Sequence, residues 1–287
     1  MGDFRENLPR PFLKWAGGKR QLLPQLMAGI EAVGPFRRYH EPFVGGGAVF
    51  FELARRQELG PDEAFISDTN ANLTAAYLGL QLDAEGVIER LREHKARHSR
   101  EHYYAVRSAV PESMAEQAAR VIYLNKTCFN GLFRENSRGL FNVPMGRYKN
   151  PLICDEENLR ACAEALKRAQ IRTEGFEAVL DRAKPGDLVY FDPPYHPVSK
   201  TASFTKYAKD DFGVAEQRRL AEVFEELDGR GVKVLLSNSM TEFVRELYGD
   251  MPGITIDEVL ASRCVNSRAD RRGKVSEALV SNVKCEM

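Results

Sequence analysis

The sequence predicts an α/β protein with a mainly parallel sheet, interrupted by a helical lobe that carries a hairpin. Three observations predict it. Short apolar, β-favouring runs alternate with helical periods towards both ends of the chain. One run, Leu188 to Phe191, ends in Asp192-Pro193-Pro194-Tyr195, where two prolines stop the ladder and stiffen the backbone. From about residue 73 to 170 the strand–helix rhythm gives way to charged helical stretches and then a basic, aromatic-rich segment.

The chain has 287 residues, 43% hydrophobic and 29% charged, which suits one large globular domain or two small ones. Its formal net charge is zero, so any surface for nucleic acid has to be a local patch. The five cysteines lack a C-x-x-C pair, so reduced thiols are expected, with neither a disulfide frame nor a metal site. No apolar stretch resembles a signal peptide or a membrane span, and a cytoplasmic protein is expected.

Taken in order, Phe12-Leu-Lys14-Trp15-Ala16-Gly-Gly-Lys19 is a small-residue turn before a helical pattern (Leu22, Leu23, Leu26, Ile30). Lys19 near that helix start suits a carboxylate or phosphate, or is a solvated lysine beside a glycine turn. Tyr39-His-Glu-Pro-Phe43-Val-Gly45-Gly-Gly47 reads as an extended segment and glycine turn before a second helix. The glycines let a ligand approach the backbone, although this is not the G-x-G-x-x-G fingerprint. Phe65-Ile-Ser-Asp68 reads as a strand ending in an acid. It lies roughly 20 residues beyond the turn, the separation of a ribose-binding carboxylate. Asp68 or Asn70 could equally cap the helix that follows.

Residues 125–149 form two short aromatic-rich segments around a polar glycine turn, read as a hairpin or ordered loop. From Lys126 to Lys149 the local charge balance is +4. Cations, Asn side chains and rings interleaved in this way suit DNA phosphates, base edges and unstacked bases, or make an ordinary solvated hairpin. A helix over 155–170 and a strand edge at 171–176 lead to Asp192-Pro-Pro-Tyr195. There a carboxylate, two free carbonyls and a ring face one small space, suited to a polar planar group, unless Tyr195 is merely core. A polar loop at 203–208, a helix over 217–227, a strand at 233–239 and a basic loop from Ser262 to Lys274 precede a last strand, Val275 to Val283.

Phe12-Leu-Lys-Trp-Ala-Gly-Gly-Lys19, Glu41-Pro-Phe-Val-Gly-Gly-Gly47, Asn130-Gly-Leu132 with Phe141-Asn-Val-Pro144, and Asp192-Pro-Pro-Tyr195 stand in the order seen in Dam-type (class alpha, D12) DNA adenine-N6 methyltransferases. The resemblance covers nearly the whole chain, and Arg263-x-x-Asn266-Ser267 adds a fifth piece. It implies a Rossmann-like S-adenosylmethionine-dependent methyltransferase sheet, with residues 1–72 and 171–287 as the catalytic domain and 73–170 as the target-recognition domain. It implies cofactor contacts from Trp15, Ala16, Lys19 (on the methionine carboxylate), Phe43, Gly45, Gly47, Asp68 (on the ribose), Phe176 and Asp192. For double-stranded DNA it implies Lys14, Lys126, Phe129, Asn130, Leu132, Arg134, Asn136, Arg138, Pro144, Arg147, Asn266 and Arg271. Leu132 and Arg134 would read the outer base pairs of GATC, and Asn130 would accommodate the extruded adenine. The loop 203–208 would lie over the site. One departure stands out: many relatives carry an acid just before Phe176, where this chain has Gly175. A contact to the cofactor's adenine is then absent or replaced.

The implied reaction is methyl transfer from S-adenosylmethionine to the N6 amine of a flipped adenine, leaving S-adenosylhomocysteine and needing no metal. Asp192, Pro193, Pro194 and Tyr195 form the catalytic corner. A monomer at the nucleoid is expected, with a cognate restriction endonuclease as companion if the enzyme serves a restriction–modification system. RNA, protein-glutamine and cytosine-N4 methyltransferases share the site logic, although the glutamine class prefers Asn before the prolines. A DNA-binding module that has lost transfer is the non-enzymatic alternative, against which Lys19, Asp192 and Tyr195 argue.

Overall fold

The computed structural model describes residues 8–15, 17–19, 21–56, 63–136, 138–198, 212–262 and 274–283. Its sheet has seven strands: β1 (Tyr39–Glu41), β2 (Ala64–Asp68), β3 (Ala169–Thr173), β4 (Leu188–Phe191), β5 (Lys233–Ser239), β6 (Thr255–Ser262) and β7 (Lys274–Ser281). Their order is β3-β2-β1-β4-β5-β7-β6. β1 and β5 both run parallel to β4, with Tyr39 opposite Leu188 and Phe191 opposite Leu236. β7 runs antiparallel to both of its neighbours. This is the Rossmann order 3-2-1-4-5-6 with one antiparallel strand inserted before the edge. β4 is buried throughout, as a central strand covered on both faces has to be. The order reverses between β1 and β4, so the crevice outside their carboxyl ends is where an open α/β sheet binds ligands.

The chain divides into two compact units. One comprises Lys19–Phe43, Pro61–Phe65 and Glu174–Met287. It holds β1, β4, β5, β6 and β7 with α1 (Leu23–Val33), α8 (Val214–Gly229) and α9 (Glu242–Gly249). Its core packs Leu220, Phe224 and Leu227 of α8, Val244 and Tyr248 of α9, and Val189, Phe191, Val234, Leu236 and Val280 of the strands. α1 starts with a proline in its first turn, where the missing N–H costs nothing.

The other unit comprises Met1–Gly18, Val44–Gly60 and Ile66–Thr173. It contains α2 (Ala48–Arg56), α3 (Ala71–Leu82), α4 (Ala84–Ala96), α5 (Arg100–Ser108), α6 (Met114–Thr127) and α7 (Glu156–Leu166). Asn70, Asp83, Ser99 and Ser113 cap α3, α4, α5 and α6 through their side-chain oxygens, each satisfying an otherwise orphaned N–H. α3 and α6 approach so closely that a Cβ on Gly79 would lie 2.6 Å from the Ala118 Cβ.

The expected hairpin exists, but it starts later than the sequence suggests. Asn125 to Thr127 are the last turn of α6. Isolated antiparallel bridges pair Cys128 with Met145 and Glu135 with Phe141. Asn136 Oδ1 accepts from the N–H groups of Arg138 and Leu140 at 2.9 and 3.1 Å, closing the turn. Two further boundaries move. The strand expected at 171–176 runs from Ala169 to Thr173, and Phe176 instead opens a short 3₁₀ turn. α9 and β6 lie where the sequence suggests no element, since acids at Asp257 and Glu258 blur the alternation of β6.

Candidate active site

In the first unit described, Asp192 follows the last residue of β4, and its carboxylate Oδ1 lies 2.6 Å from Lys19 Nζ. Lys19 is only 6% exposed and Asp192 19%, so this is an ion pair largely withdrawn from water, where charge attraction is strong. Burial raises the Asp192 carboxyl to about 6 despite the opposing pull of the Lys19 ammonium. The same ammonium sits 4.5 Å from the centre of the Tyr195 ring. Tyr195 donates its hydroxyl to Glu277 Oε2 at 2.7 Å, and burial, with the nearby acids, raises its pKa well above the usual value. Tyr195 is therefore a neutral hydrogen-bond donor.

Of the two carbonyls that the sequence leaves free at this corner, one is taken. The Pro194 carbonyl accepts from Gln217 Nε2 at 2.9 Å. Gln217 is fully buried on α8. The Asp192 carboxylate and the Pro193 carbonyl remain as the acceptors that a planar amine could meet.

Phe43, beyond β1, and Phe176 stack with ring centres 5.5 Å apart. Phe212, which nothing in the sequence singled out, packs edge-on against both at 5.5 and 5.8 Å. This ring cluster suits a flat heterocycle. Beside it, a Cβ on Gly175 would meet Glu177 Oε2 at 2.9 Å. A carboxylate two residues on thus occupies the flank of Gly175, while Glu174 is turned to Arg182.

The second unit carries the glycine turn. Gly45 and Gly47 have positive φ, at 48° and 69°, a region that side chains other than glycine rarely adopt. A Cβ on Gly45 would come 3.0 Å from the Trp15 indole, and one on Gly47 would come 2.7 Å from the Tyr77 hydroxyl. Both glycines are therefore demanded by the protein's own packing, and the Tyr77 hydroxyl further bonds the Gly45 carbonyl at 3.0 Å. Asp68 accepts from Gly45 N–H at 3.2 Å and Asn70 N–H at 2.9 Å. Burial raises its pKa and these N–H groups oppose the rise. The cap of α3 is Asn70, which leaves the Asp68 carboxylate bracing the glycine turn.

Trp15 lies 5.2 Å from Phe133 of the hairpin. Lys14 is exposed, with its ammonium 4.7 Å from the Tyr148 ring centre. Its backbone is gripped from both sides by Asn125, whose Oδ1 accepts the Lys14 N–H at 2.8 Å and whose Nδ2 donates to the Lys14 carbonyl at 2.7 Å. Asn125 is fully buried and also reaches the Gly131 carbonyl. Along the hairpin, Phe129, Asn130, Leu132, Arg134, Asn136, Arg138, Pro144 and Arg147 are all exposed. Asn130 is the one non-glycine residue with positive φ among the described residues. Arg134 Nε donates to Asn142 Oδ1 across the hairpin at 2.8 Å. Lys126 is different: it is half-buried on α6, and burial, then Lys14, lowers its pKa. Ala16, the 203–208 loop, Asn266 and Arg271 lie outside the described residues.

The family model for D12 class N6 adenine-specific DNA methyltransferases matches residues 15–261. A type II methyltransferase of Lactococcus lactis subsp. cremoris is 42% identical over 281 residues, 95% of each chain. One from Methanocaldococcus jannaschii is 41% identical over 290 residues, 95% of this chain and 99% of the other. A DNA adenine methylase of Serratia marcescens is 35% identical over 275 residues, 94% of this chain and 97% of its own. With the match spanning both units and the corner after β4, the chain belongs to the D12 class of N6 adenine-specific DNA methyltransferases.

Proposed function

We propose that the enzyme takes its methyl group from S-adenosylmethionine and delivers it to an adenine flipped out of double-stranded DNA, within GATC. The observation that carries this reading is the corner after β4, where the Asp192 carboxylate and the Tyr195 ring, held at its hydroxyl by Glu277, meet the same Lys19 ammonium at 2.6 Å and 4.5 Å. Double-stranded DNA requires a base to leave the stack before its exocyclic amine can be reached.

The residues fit the cofactor chemically. The Phe43, Phe176 and Phe212 rings suit its adenine, Asp68 its ribose hydroxyls, and Lys19 its carboxylate. Trp15, Gly45 and Gly47 shape the turn beside which it would lie. Glu177, whose carboxylate lies at the flank of Gly175, would stand in for the acid that the family resemblance places there and would accept from the cofactor's adenine amine. When bound, the cofactor supplies a methyl group on a positively charged sulfur.

The remaining chemistry belongs to the chain. Adenine's amine is a weak nucleophile because its lone pair is conjugated into the ring. Asp192 and the Pro193 carbonyl accept its two hydrogens, which favours a pyramidal nitrogen and stabilises the positive charge that grows on it. With its carboxyl at about 6, Asp192 is ionised at neutral pH and too weak a base to deprotonate a neutral amine. It acts by accepting and by charge. Tyr195 stacks on the base and fixes the line of approach, so much of the acceleration comes from positioning.

The exposed basic and aromatic side chains of residues 129–147 support recognition by the 73–170 segment, with Leu132 and Arg134 on the outer base pairs and Asn130 accommodating the extruded adenine. Lys14, Arg138 and Arg147 serve phosphates, while half-buried Lys126 contributes less. A monomeric enzyme at the nucleoid completes the reading, with a cognate restriction endonuclease as companion if it serves a restriction–modification system. Tritiated methyl transfer to a GATC duplex, a scrambled duplex, RNA and protein tests it. Label in the GATC duplex alone is expected, and label confined to RNA or protein overturns it.

A further inference from the structure

The corner after β4 is held by side chains that are not part of it. Gln217 and Asn238 are both fully buried, an expensive placement for two amides unless their polar groups are used. They are joined to each other, Asn238 Nδ2 donating to Gln217 Oε1 at 2.9 Å. Gln217 Nε2 then donates to the Pro194 carbonyl at 2.9 Å. Asn238 Oδ1 accepts the His196 N–H at 3.0 Å and its neighbour Ser239 N–H at 2.8 Å. The Pro194 carbonyl and the His196 N–H belong to the two peptide groups that flank Tyr195. The third point is the ring's far end, where the hydroxyl donates to Glu277 Oε2 at 2.7 Å. Gln217 comes from α8, Asn238 from β5 and Glu277 from β7. Three separate elements therefore converge on one tyrosine.

We infer that Gln217, Asn238 and Glu277 are positioning residues for methyl transfer: the amide pair sets the two peptides around Tyr195, and Glu277 sets the tilt of its ring. A ring tethered only through its Cα could swing about two torsions. Tethered also at its hydroxyl and at both flanking peptides, it has one pose, and the base stacked on it has one line of attack. The amide pair has a second effect. By occupying the Pro194 carbonyl it leaves Pro193 as the carbonyl available to the amine, so the corner offers its acceptors in one arrangement.

The inference rests on the assignment of transfer to Asp192–Tyr195, and the test separates the two. Gln217→Met keeps the volume and removes both hydrogen bonds. Glu277→Ala removes the acceptor of the tyrosine hydroxyl, and Glu277→Gln restores a neutral one. Asp192→Ala is assayed beside them. Each folded variant is titrated with S-adenosylmethionine to count competent sites. The single-turnover rate on saturating GATC duplex is then measured per site. Gln217→Met and Glu277→Ala are each expected to slow transfer about 10- to 100-fold, with cofactor affinity and the KM for DNA within about threefold. Glu277→Gln is expected to recover most of the rate. Wild-type rates per site in Gln217→Met and Glu277→Ala, with Asp192→Ala inactive, overturn the positioning frame alone. So does a Glu277→Gln protein as slow as Glu277→Ala. A fully active Asp192→Ala protein overturns the underlying assignment instead.

Discussion

Tyr195, at the corner after β4, is tied through its hydroxyl and both flanking peptides, whereas Phe129, Leu132, Arg138 and Arg147 of the hairpin stand exposed on a backbone that is itself well anchored. The hairpin's anchors are internal. Asn136 closes its turn, Tyr103 of α5 donates to the Val143 carbonyl at 2.9 Å, and Asn125 fastens Lys14 beside it. The contrast fits the two tasks proposed for these regions, transfer at the corner and DNA recognition on the hairpin. A transfer step needs one geometry, so the corner spends its polar groups on protein partners. A surface that meets a long polyanion needs its charges and rings outward, so only its backbone is fixed. Changes at the corner should therefore alter the rate on every duplex alike, and changes on the hairpin should alter which duplex is chosen.

The largest test of that contrast is Asp192→Ala. Loss of a group aimed at developing charge costs about a thousandfold, and the loss should be equal for GATC and for near-cognate duplexes, with cofactor affinity largely kept. A companion effect follows from the raised pKa. The Asp192 carboxyl sits at about 6 because burial disfavours its charge, and only its ionised form accepts an amine hydrogen at full strength and stabilises the charge growing on the nitrogen. The single-turnover rate should therefore rise with pH through about 6 and level off above it. Glu277 raises the Asp192 pKa and Lys19 lowers it, so Glu277→Gln should move that limb to lower pH. A rate independent of pH between 5 and 7 on the wild-type enzyme would break the assignment.

Arg134→Ala comes next. A side chain that reads a base edge carries about 1–3 kcal/mol of discrimination. The ratio of kcat/KM on GATC to that on singly substituted sites should fall about 10- to 100-fold, with the maximal rate nearly unchanged. A uniform fall on all sites would mean that Arg134, already bonded to Asn142, serves the hairpin's shape instead. Asn125→Ala is smaller and lies on the structural side of the comparison. It strands the Lys14 N–H and carbonyl together with the Gly131 carbonyl. Loss of such buried bonds costs about 2 kcal/mol, and thermal melting should show a drop of about 4–8 °C.

The difference between the regions also explains what could be read from the sequence. β4 and its proline stop are legible because both signals are local: four buried strand residues and two prolines within seven positions. The hairpin is legible from its glycine turn and its charge, but its start is not, since Asn125 to Thr127 continue the helical period of α6. The partners of the corner are illegible for a different reason. Glu277 lies 82 residues from Tyr195, and Gln217 lies 23 from Pro194. Gln217 sits among charged residues in an amphipathic helix and resembles its solvated neighbours. Only Asn238 left a trace, as a small polar residue ending an apolar strand. Phe212 had none, because one phenylalanine beside a polar loop carries no periodicity. Gly45 and Gly47 read as space for a ligand, and the packing against Trp15 and Tyr77 gives them a second reason that no local pattern contains.

The smallest expected effect belongs to Arg147→Ala. Arg147 is exposed on the outgoing arm of the hairpin, just past Gly146, whose N–H is bonded to the Thr127 carbonyl at 2.8 Å. Its backbone is thus held while its side chain is not, which is the arrangement for a phosphate contact rather than a base contact. Removing one such contact releases about one fewer counterion on binding. The slope of log affinity against log salt should become shallower by about 0.9, and binding should weaken by the same factor for GATC and scrambled duplexes. Titrating both duplexes across a range of salt reads the two quantities together. An unchanged slope with lost GATC preference would move Arg147 from the phosphates to the base edges. The boundary between anchoring and reading would then lie further along the hairpin than its exposed side chains imply.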